Sequence, residues 1–182
     1  MTPFFTGQGD AGDTGFLGEG RISKTSERIE AVGCVDEATA ALGLARSLSK
    51  SEKICSMLVH IQEQLYWLMS ELSAAPGVAE KFDKINQVEI VWLEKQIEHL
   101  ENTVLLPKEF ILPGESSASA ALALARTIVR RAERRTITLF ETGEIKKSLL
   151  IAYLNRLSSL IFILEVYEAS LSGRGVRLVN EE

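Results

Sequence analysis

The sequence is poor in the residues that build disulfides, metal clusters and nucleophilic active sites. Two cysteines, Cys34 and Cys55, and two histidines, His60 and His99, occur in 182 residues. The cysteines have neither metal-site spacing nor a disulfide framework, so we expect free thiols in a reducing cytoplasm. The histidines have no ligand-type neighbours, which favours structural or surface roles. Hydrolysis by a protein nucleophile is unsupported as well, because no Ser-His-Asp or Cys-His set is evident.

The chain also lacks a long uninterrupted apolar run and an excess of positive charge. Its most apolar region, residues 148–166, is broken by Asn155, Arg156 and three serines, so we expect a buried helix and no membrane span. The N-terminus has the layout of neither a signal peptide nor a transit peptide. A formal net charge of −5 argues against a general nucleic-acid binder. We therefore expect neither nucleic acid nor a membrane as a partner.

Apolar residues with helical spacing are abundant. The positions from Ile54 to Leu72 alternate in steps of four and three, which is typical of a bundle seam. No segment alternates convincingly as a strand, apart from short extended pieces near the N-terminus. The length of 182 residues suggests one domain, residues 1–182. The pattern predicts an all-α fold, a five-helix bundle with mostly short connections.

Capping residues, prolines and glycines predict where the five helices begin and end. The predicted boundaries are residues 27–48 after a Ser26 cap, a second helix from Ser51 to Pro76-Gly77, a third from Asn86, a fourth from Ser117 or Ser119 to Gly143, and a fifth over residues 145–171 that stops at Gly173. Glu89 is predicted to complete a capping box with Asn86.

Residues 1–25 form a glycine-rich loop, which we expect to be flexible. Six of the chain's thirteen glycines lie between positions 7 and 20, a density that disfavours regular structure. Glycines allow backbone N–H groups to approach a ligand, and Thr6, Thr14, Ser23 and Lys24 add donors, so the loop could cradle phosphate. It is not a Walker loop, because no Gly-Lys-Ser/Thr follows at the required spacing. A flexible tail without a ligand is the alternative.

An arginine-rich stretch, residues 126–135, lies in the fourth helix. Arg126, Arg130 and Glu133 fall on one face, with Arg134 at its edge. Like-charged pairs four residues apart cost a helix roughly 0.2–0.5 kcal/mol each. Such a helix needs anionic partners. These are either carboxylates of the protein or phosphates of a ligand, because the guanidinium fork suits both.

Three further features leave alternatives open. Asp36, among small and apolar residues of the first helix, is either solvated or paired. Asn155 is either exposed or, if buried, satisfied by a neighbour or a ligand. The loop of residues 105–117 is unusually apolar and must pack on something, with Phe110 as its largest anchor. The plain alternative is a loop that plugs the core. Together with the glycine loop and the arginine face, these residue types favour a helical bundle that binds a nucleotide and positions it.

Several motifs, in order along nearly the whole chain, resemble those of the trimeric ATP:cob(I)alamin adenosyltransferases of the propanediol-utilisation type. The matching stretches are residues 6–14, 20–24, 28–31, 35–37, 110–114, 126–134 and 153–158. The specific ones are the phenylalanine loop Phe-Ile-Leu-Pro-Gly, the Arg-Arg-Ala-Glu-Arg run and the Leu-Asn-Arg-Leu-Ser run.

The resemblance implies an enzyme that forms adenosylcobalamin, assembled as a homotrimer with ATP sites between subunits. Co(I) of the corrinoid would attack the 5′ carbon of ATP, and triphosphate would leave. ATP is then the co-substrate, Mg²⁺ its companion ion and cobalamin the substrate. A corrinoid reductase and adenosylcobalamin-dependent enzymes are further implied partners.

The resemblance also assigns roles to individual residues. Phosphate and nucleotide contacts are implied for Thr6, Gly7, Gly9, Asp10, Thr14, Lys24, Arg130, Arg134 and Asn155. Glu133 would hold Mg²⁺ together with the phosphates. Arg126 would pair with Asp36 of the adjacent subunit. Phe110 would press on the lower corrin face, exclude the axial base and so ease reduction to Co(I).

The chain departs from the family pattern at several places. Gly7 stands where the family usually has a basic residue, Glu115 where it often has glycine, Ala38-Thr39 where it has Leu-Asn, and Ala123 where a histidine is frequent. Gly7 and Glu115 motivate a second hypothesis, a non-catalytic ATP- or corrinoid-binding relative that delivers or senses the cofactor. A structural or RNA-binding bundle that uses the arginine face is a third.

Overall fold

Five long helices form the body of the protein in a computed structural model that describes residues 5–75, 77–146 and 149–179. In chain order they are α1 (Glu27–Leu48), α2 (Glu52–Ser73), α3 (Gln87–Glu101), α4 (Ser117–Glu141) and α5 (Leu149–Leu171), with a short 3₁₀ helix at Ala79–Phe82. Four short strands complete the described part: β1 (Asp13–Gly15), β2 (Arg21–Ser23), β3 (Ile111–Leu112) and β4 (Arg177–Leu178).

The helices pack in a chain of neighbours that places α4 and α5 side by side. Helix α1 packs on both α2 and α4, α4 packs on α5, and α5 packs on α3. Their apolar faces share one core cluster that includes the fully buried Leu42, Leu65 and Tyr153. By length and composition α5 could cross a membrane, yet 61% of its most apolar window is buried inside the bundle. The all-α five-helix prediction is confirmed, and the division into one domain stays a prediction.

Local capping agrees with the predicted cap residues at three helix starts, including Asn86 at α3, and differs at one. The Ser26 and Ser51 side chains cap α1 and α2 as predicted. Helix α4 begins at Ser117 and is capped by Ser116, whose side chain forms a reciprocal capping box with Ser119, so the prediction of Ser117 or Ser119 as the cap residue was wrong. Glu89 does not complete the box at α3, where the Asn86 amide oxygen accepts from the N–H of Val88. That part of the prediction was wrong too.

Helix ends and strands show further differences. Helix α2 ends at Ser73, before the predicted Pro76-Gly77 stop, of which Pro76 lies outside the described residues. Ile145 is not helical, and α5 is described from Leu149, since residues 147 and 148 also lie outside that part of the chain. The antiparallel pair β3–β4, far from the glycine loop, was not predicted.

A buried arginine fastens three segments at one end of the bundle. Arg28, at the start of α1, is 7% exposed. Its guanidinium donates to the carbonyl of Leu72 at 3.0 Å and, at the turn after α4, to the carbonyl of Glu144 at 2.7 Å. It also pairs with the Glu144 carboxylate at 3.1 Å. Charged hydrogen bonds of this kind satisfy a buried guanidinium, and the turn that leads into α5 is thereby fixed to α1 and α2.

Candidate functional site

A cleft of about 290 Å³ opens where α4 and α5 pack together, and arginines of α4 line it. The side-chain contacts fall at successive levels along the two antiparallel helices. Glu133 meets Asn155, Arg130 and Ser158 line the next level, and Arg126 lies by Phe162. The predicted face of Arg126, Arg130 and Glu133 is therefore turned toward α5.

Asn155 is satisfied by its neighbours and fixes the carboxylate of Glu133. Its amide nitrogen donates to Glu133 Oε1 at 2.9 Å, and its amide oxygen accepts from Arg156 Nη1 at 2.9 Å. Arg156 continues to Glu94 of α3 at 3.1 Å. Of the two alternatives for Asn155, the structure supports a half-buried amide held by neighbours. Among the described residues, the Glu133 carboxylate accepts a hydrogen bond through Oε1 only, which leaves Oε2 as an acceptor there.

Arg130 is the cation of this cleft that has no acceptor among the described residues. Its side chain is exposed and borders the cavity. Arg134, one turn further along α4, is also exposed. Within the described part of the chain, neither guanidinium forms an ion pair, so both are available to an anionic ligand.

Arg126 has an acidic neighbour that sequence reasoning missed. Its Nε lies 3.8 Å from Oε2 of Glu165, whose side chain is 3% exposed. The guanidinium carbon also lies 5.8 Å from the centroid of the Phe162 ring. Burial raises the pKa of Glu165, while the charge of Arg126 opposes that rise. In the sequence, Glu165 could have been noticed because it is the single acid in the otherwise apolar run of residues 160–166.

The other arginines of the stretch serve a different face. Arg131 pairs with Glu37, and Arg135 approaches Glu30 at 3.5 Å, so both tie α4 to α1. Asp36, adjacent in sequence to Glu37, is exposed and has no ion-pair partner among the described residues. The predicted Arg126–Asp36 pair does not form within one chain. It remains a prediction about two copies.

The glycine-rich loop folds as a small hairpin. Strands β1 and β2 pair antiparallel, with Thr14 opposite Ile22, and Arg21 binds the Asp13 carboxylate through two nitrogens at 2.9 and 2.6 Å. Arg21 lowers the pKa of Asp13, because the hydrogen bond favours the charged carboxylate. Lys24 Nζ donates to the carbonyl of Gly9 at 2.7 Å. Residues 5–25 therefore do not form an unstructured tail, which was the alternative considered from the sequence.

Backbone geometry explains a departure noted in the sequence. Gly7 has a φ of 69°, which strains most other residues, so the missing basic side chain is accompanied by a turn that suits glycine. Thr6 and Asp10, the other predicted phosphate contacts of this arc, are both exposed. Leu17 attaches the hairpin to the end of α2, because its N–H donates to Ser73 and its carbonyl accepts from Ala75.

The Phe110 side chain projects into solvent, although Leu106 of the same loop packs against the core. Phe110 is 87% exposed, so the alternative of a core-plugging anchor is wrong for this residue. Beside it, β3 pairs with β4, and Val179 donates to the Phe110 carbonyl at 3.0 Å. Glu115 contacts Arg177 of β4 at 3.5 Å, and its carbonyl accepts from Arg174 at 3.1 Å. The unusual acid therefore joins the loop to the C-terminal strand.

The two histidines have neighbours that fit structural or surface roles. His60 stacks on Trp92 at 4.2 Å between ring centroids, and its Nε2 is 3.6 Å from the carboxylate of Glu89. His99 Nε2 lies 2.9 Å from Lys53 Nζ. Among the described residues, no group of three or more histidines, cysteines or acids could hold a metal ion.

The fold and cleft define a class of protein, a helical bundle with an arginine-lined groove that suits an anionic ligand. More narrowly, the chain belongs to the cobalamin adenosyltransferase family, whose sequence model matches residues 4–168. The chain is 39% identical over 163 residues to the corrinoid adenosyltransferase PduO of Citrobacter freundii, covering 88% of this chain and 48% of that protein. Against the corrinoid adenosyltransferase of Bacillus subtilis the identity is 39% over 163 residues, covering 87% of this chain and 82% of that protein.

A solved relative has the same fold. A variant of the PduO-type ATP:corrinoid adenosyltransferase from Lactobacillus reuteri, complexed with cobalamin and ATP, superposes with a TM-score of 0.89 at 32% identity, covering 98% of this chain and 100% of that chain. The chain spans about half the length of the PduO relatives from C. freundii and Salmonella typhimurium.

Proposed function

We propose that this chain transfers the 5′-deoxyadenosyl group of ATP to Co(I) of a corrinoid, giving adenosylcobalamin and triphosphate. The observation that carries the proposal is Arg130, an exposed guanidinium without an acceptor among the described residues, beside the fixed pair of Glu133 and Asn155. Membership of the family and the cobalamin and ATP bound to the L. reuteri relative support it.

The proposed adenosyl transfer depends on substrate positioning and charge neutralisation more than on proton transfer. Co(I) supplies both electrons of the new cobalt–carbon bond. The C5′–O bond breaks, and its electron pair leaves with the triphosphate. Negative charge therefore grows on the leaving group, where preorganised cations are most effective. We assign this role to Arg130 and Lys24, with Arg134 and the Thr6–Gly9 arc, Asp10 and Thr14 as further nucleotide contacts.

Mg²⁺ fits the same arrangement through Glu133. Magnesium is commonly held by one or two carboxylates together with substrate phosphates. Glu133, three residues from Arg130 on α4, offers one oxygen that Asn155 does not occupy, and the described residues contain no larger acidic cluster. Bound there with ATP, the ion would screen the phosphate charge. Glu133 would orient it.

We also propose that the working site lies between copies in a homotrimer. Within one chain, the described hydrogen bonds of the glycine hairpin run inside it and to the end of α2, and none reaches the cleft. A nucleotide bound by both would need the hairpin of one copy and the cleft of another. Exposed Asp36 is then available to Arg126 of the next copy, and Phe110 is free to press on the corrin.

A cytoplasmic setting follows from the chemistry. Co(I) requires a reductant, which we assign to a corrinoid reductase, and the product serves adenosylcobalamin-dependent enzymes. Cys34 and Cys55 are both free, which is compatible with reducing conditions.

The deciding experiment mixes the purified chain with ATP and chemically reduced cobalamin, and follows adenosylcobalamin by its absorption spectrum. We expect product with Mg²⁺, and a markedly lower rate when the ion is chelated. Absence of product from folded protein under reducing conditions would overturn the proposal. Calorimetric titration with ATP, alone and with cobalamin, then separates the remaining hypotheses: binding without product would identify a carrier or sensor.

A further inference from the structure

Glu165 is a buried carboxylate that the proposed function leaves unused. It lies on α5 between Leu164 and Val166, both buried, and its own side chain is 3% exposed. Removing a carboxylate from water is strongly unfavourable unless a partner compensates. The structure therefore has to supply a counter-ion for Glu165.

The counter-ion is Arg126 of α4. Its Nε lies 3.8 Å from Glu165 Oε2, which is within ion-pair range and too long for a hydrogen bond. Both atoms are buried, and neither has a hydrogen-bond partner within the described part of the chain. Charge attraction is thus the contact that joins the two side chains.

Phe162 holds the same guanidinium from the preceding turn of α5. Its ring centroid lies 5.8 Å from the Arg126 guanidinium carbon, within the range of a cation–π contact. Residues three apart share a helix face, so Phe162 and Glu165 contact the Arg126 side chain from the same face of α5. The Arg126 side chain remains 30% exposed and lines the cleft. The Arg126 side chain therefore extends from its buried contacts with Phe162 and Glu165 to the open cleft.

We propose that Glu165 is a positioning residue that anchors Arg126 through Nε, so that the terminal amino groups of the guanidinium face the cleft. The inference rests on the proposed function, in which those groups meet Asp36 of an adjacent copy. Because Glu165 already balances the charge of Arg126 inside the chain, Arg130 is left as the cation of this cleft for the triphosphate. Burial raises the pKa of Glu165, and the charge of Arg126 in this contact opposes that rise.

The first test observes Arg126 directly and needs no substrate. In protein labelled with ¹⁵N-arginine, the Nε–H signal of Arg126 is assigned by its loss in Arg126→Lys. We expect its exchange with water to be at least about fivefold faster in Glu165→Gln, which keeps the side-chain shape and removes the charge. The matched control is Glu168→Gln, another buried acid on α5, which accepts from Ser49 at 2.7 Å. That control should leave the Arg126 signal unchanged.

The second test is kinetic. We expect Glu165→Gln to lower kcat about tenfold while the KM for ATP changes less than about twofold, because an anchor affects orientation more than affinity. Glu165→Asp should recover part of the loss. In an Arg126→Gln background, Glu165→Gln should have little further effect, since coupled residues are not additive.

The outcomes separate this inference from the proposed function. If the wild-type chain makes no adenosylcobalamin, the proposed function fails, and the exchange measurement still decides on Glu165. Unchanged Arg126 exchange in Glu165→Gln would overturn the anchor. So would equal kcat losses in Glu165→Gln and Glu168→Gln, with equally lowered melting temperatures, because that result would reveal a general role in stability.

Discussion

The arginine cleft and the Phe110 loop are built in opposite ways. The cleft lies between two long helices, and contacts within the chain hold the side chains of Glu133 and Arg126, as in the 2.9 Å bond from Asn155 to Glu133. The Phe110 side chain is 87% exposed, and the loop beside it is held by a strand pair of two residues on each side. At Glu133 and Arg126 the cleft carries charge that is already oriented, whereas the loop presents an apolar side chain that the described residues leave uncovered.

This difference indicates how work is divided in the proposed reaction. Oriented charges reduce the reorganisation needed when a leaving group becomes anionic. An exposed aromatic side chain marks a surface that something else covers, which the proposal identifies as the corrin. Substitutions in the cleft should therefore affect the adenosyl-transfer step, and substitutions in the loop should affect the state of the bound corrinoid.

The largest expected effect comes from Arg130→Ala. Loss of a cation at the developing charge should lower adenosylcobalamin formation by about 10²–10³-fold. The melting temperature should hardly move, because the side chain is exposed and unpaired within the described residues. Arg135→Ala is the matched control, an exposed arginine of the same helix that pairs with Glu30 and should retain near wild-type turnover. Equal losses in both variants would remove the distinction between cleft and outer face.

Phe110→Ala should have an intermediate effect. Burying a phenylalanine is worth about 1.5–3 kcal/mol, so its loss should lower turnover about 10–100-fold. The KM for ATP should be unchanged, and the spectrum of the bound corrinoid should retain its axial base. Leu105→Ala removes another exposed apolar side chain, 93% exposed and preceding Phe110 by five residues, and serves as the control. A raised KM for ATP in Phe110→Ala would contradict the division of roles.

The smallest effect should follow Arg177→Ala, which removes the contact between β4 and Glu115. Exposed ion pairs contribute about 0.2–1 kcal/mol, so turnover should fall by no more than about fivefold. Glu115→Ala should have a similar effect, and the double variant should lose no more than either single one. Fully additive losses, measured in the same assay, would show that the two residues act separately.

The helices could be predicted from the sequence because capping and periodicity are local signals. Ser26 and Ser51 are caps whose hydrogen bonds lie within one turn. Where several candidates crowd together, as in Ser116-Ser117-Ala118-Ser119, pattern alone did not identify the residue that folds back. Glu89 met the sequence rule for a capping box. In the fold, its carboxylate lies by His60 of another helix instead, a tertiary contact that no local rule contains.

The sequence predicted which residues belong to the candidate site, but it did not predict which side chains they contact. The face of Arg126, Arg130 and Glu133 followed from helical periodicity alone. Glu165 as the neighbour of Arg126 depends on the packing of α5 against α4. The β3–β4 pair joins residues far apart in sequence through only two residues on each side. That is too short for an alternating pattern to register.

If the hairpin binds the nucleotide as proposed, its attachment through Leu17 reduces the entropy cost of that binding. The two backbone hydrogen bonds of Leu17 to Ser73 and Ala75 hold the hairpin on one side, and the Ser26 N–H, which donates to the Ser23 carbonyl at 3.1 Å, joins it to the start of α1 on the other. Fixing a residue costs roughly 1–2 kcal/mol, and that cost has already been met in folding for the paired strands. The arc from Thr6 to Gly12 lies outside the strand pair and is itself held by turns such as Asp10 N–H to the Gly7 carbonyl at 3.1 Å, so little of the binding energy would be lost to ordering.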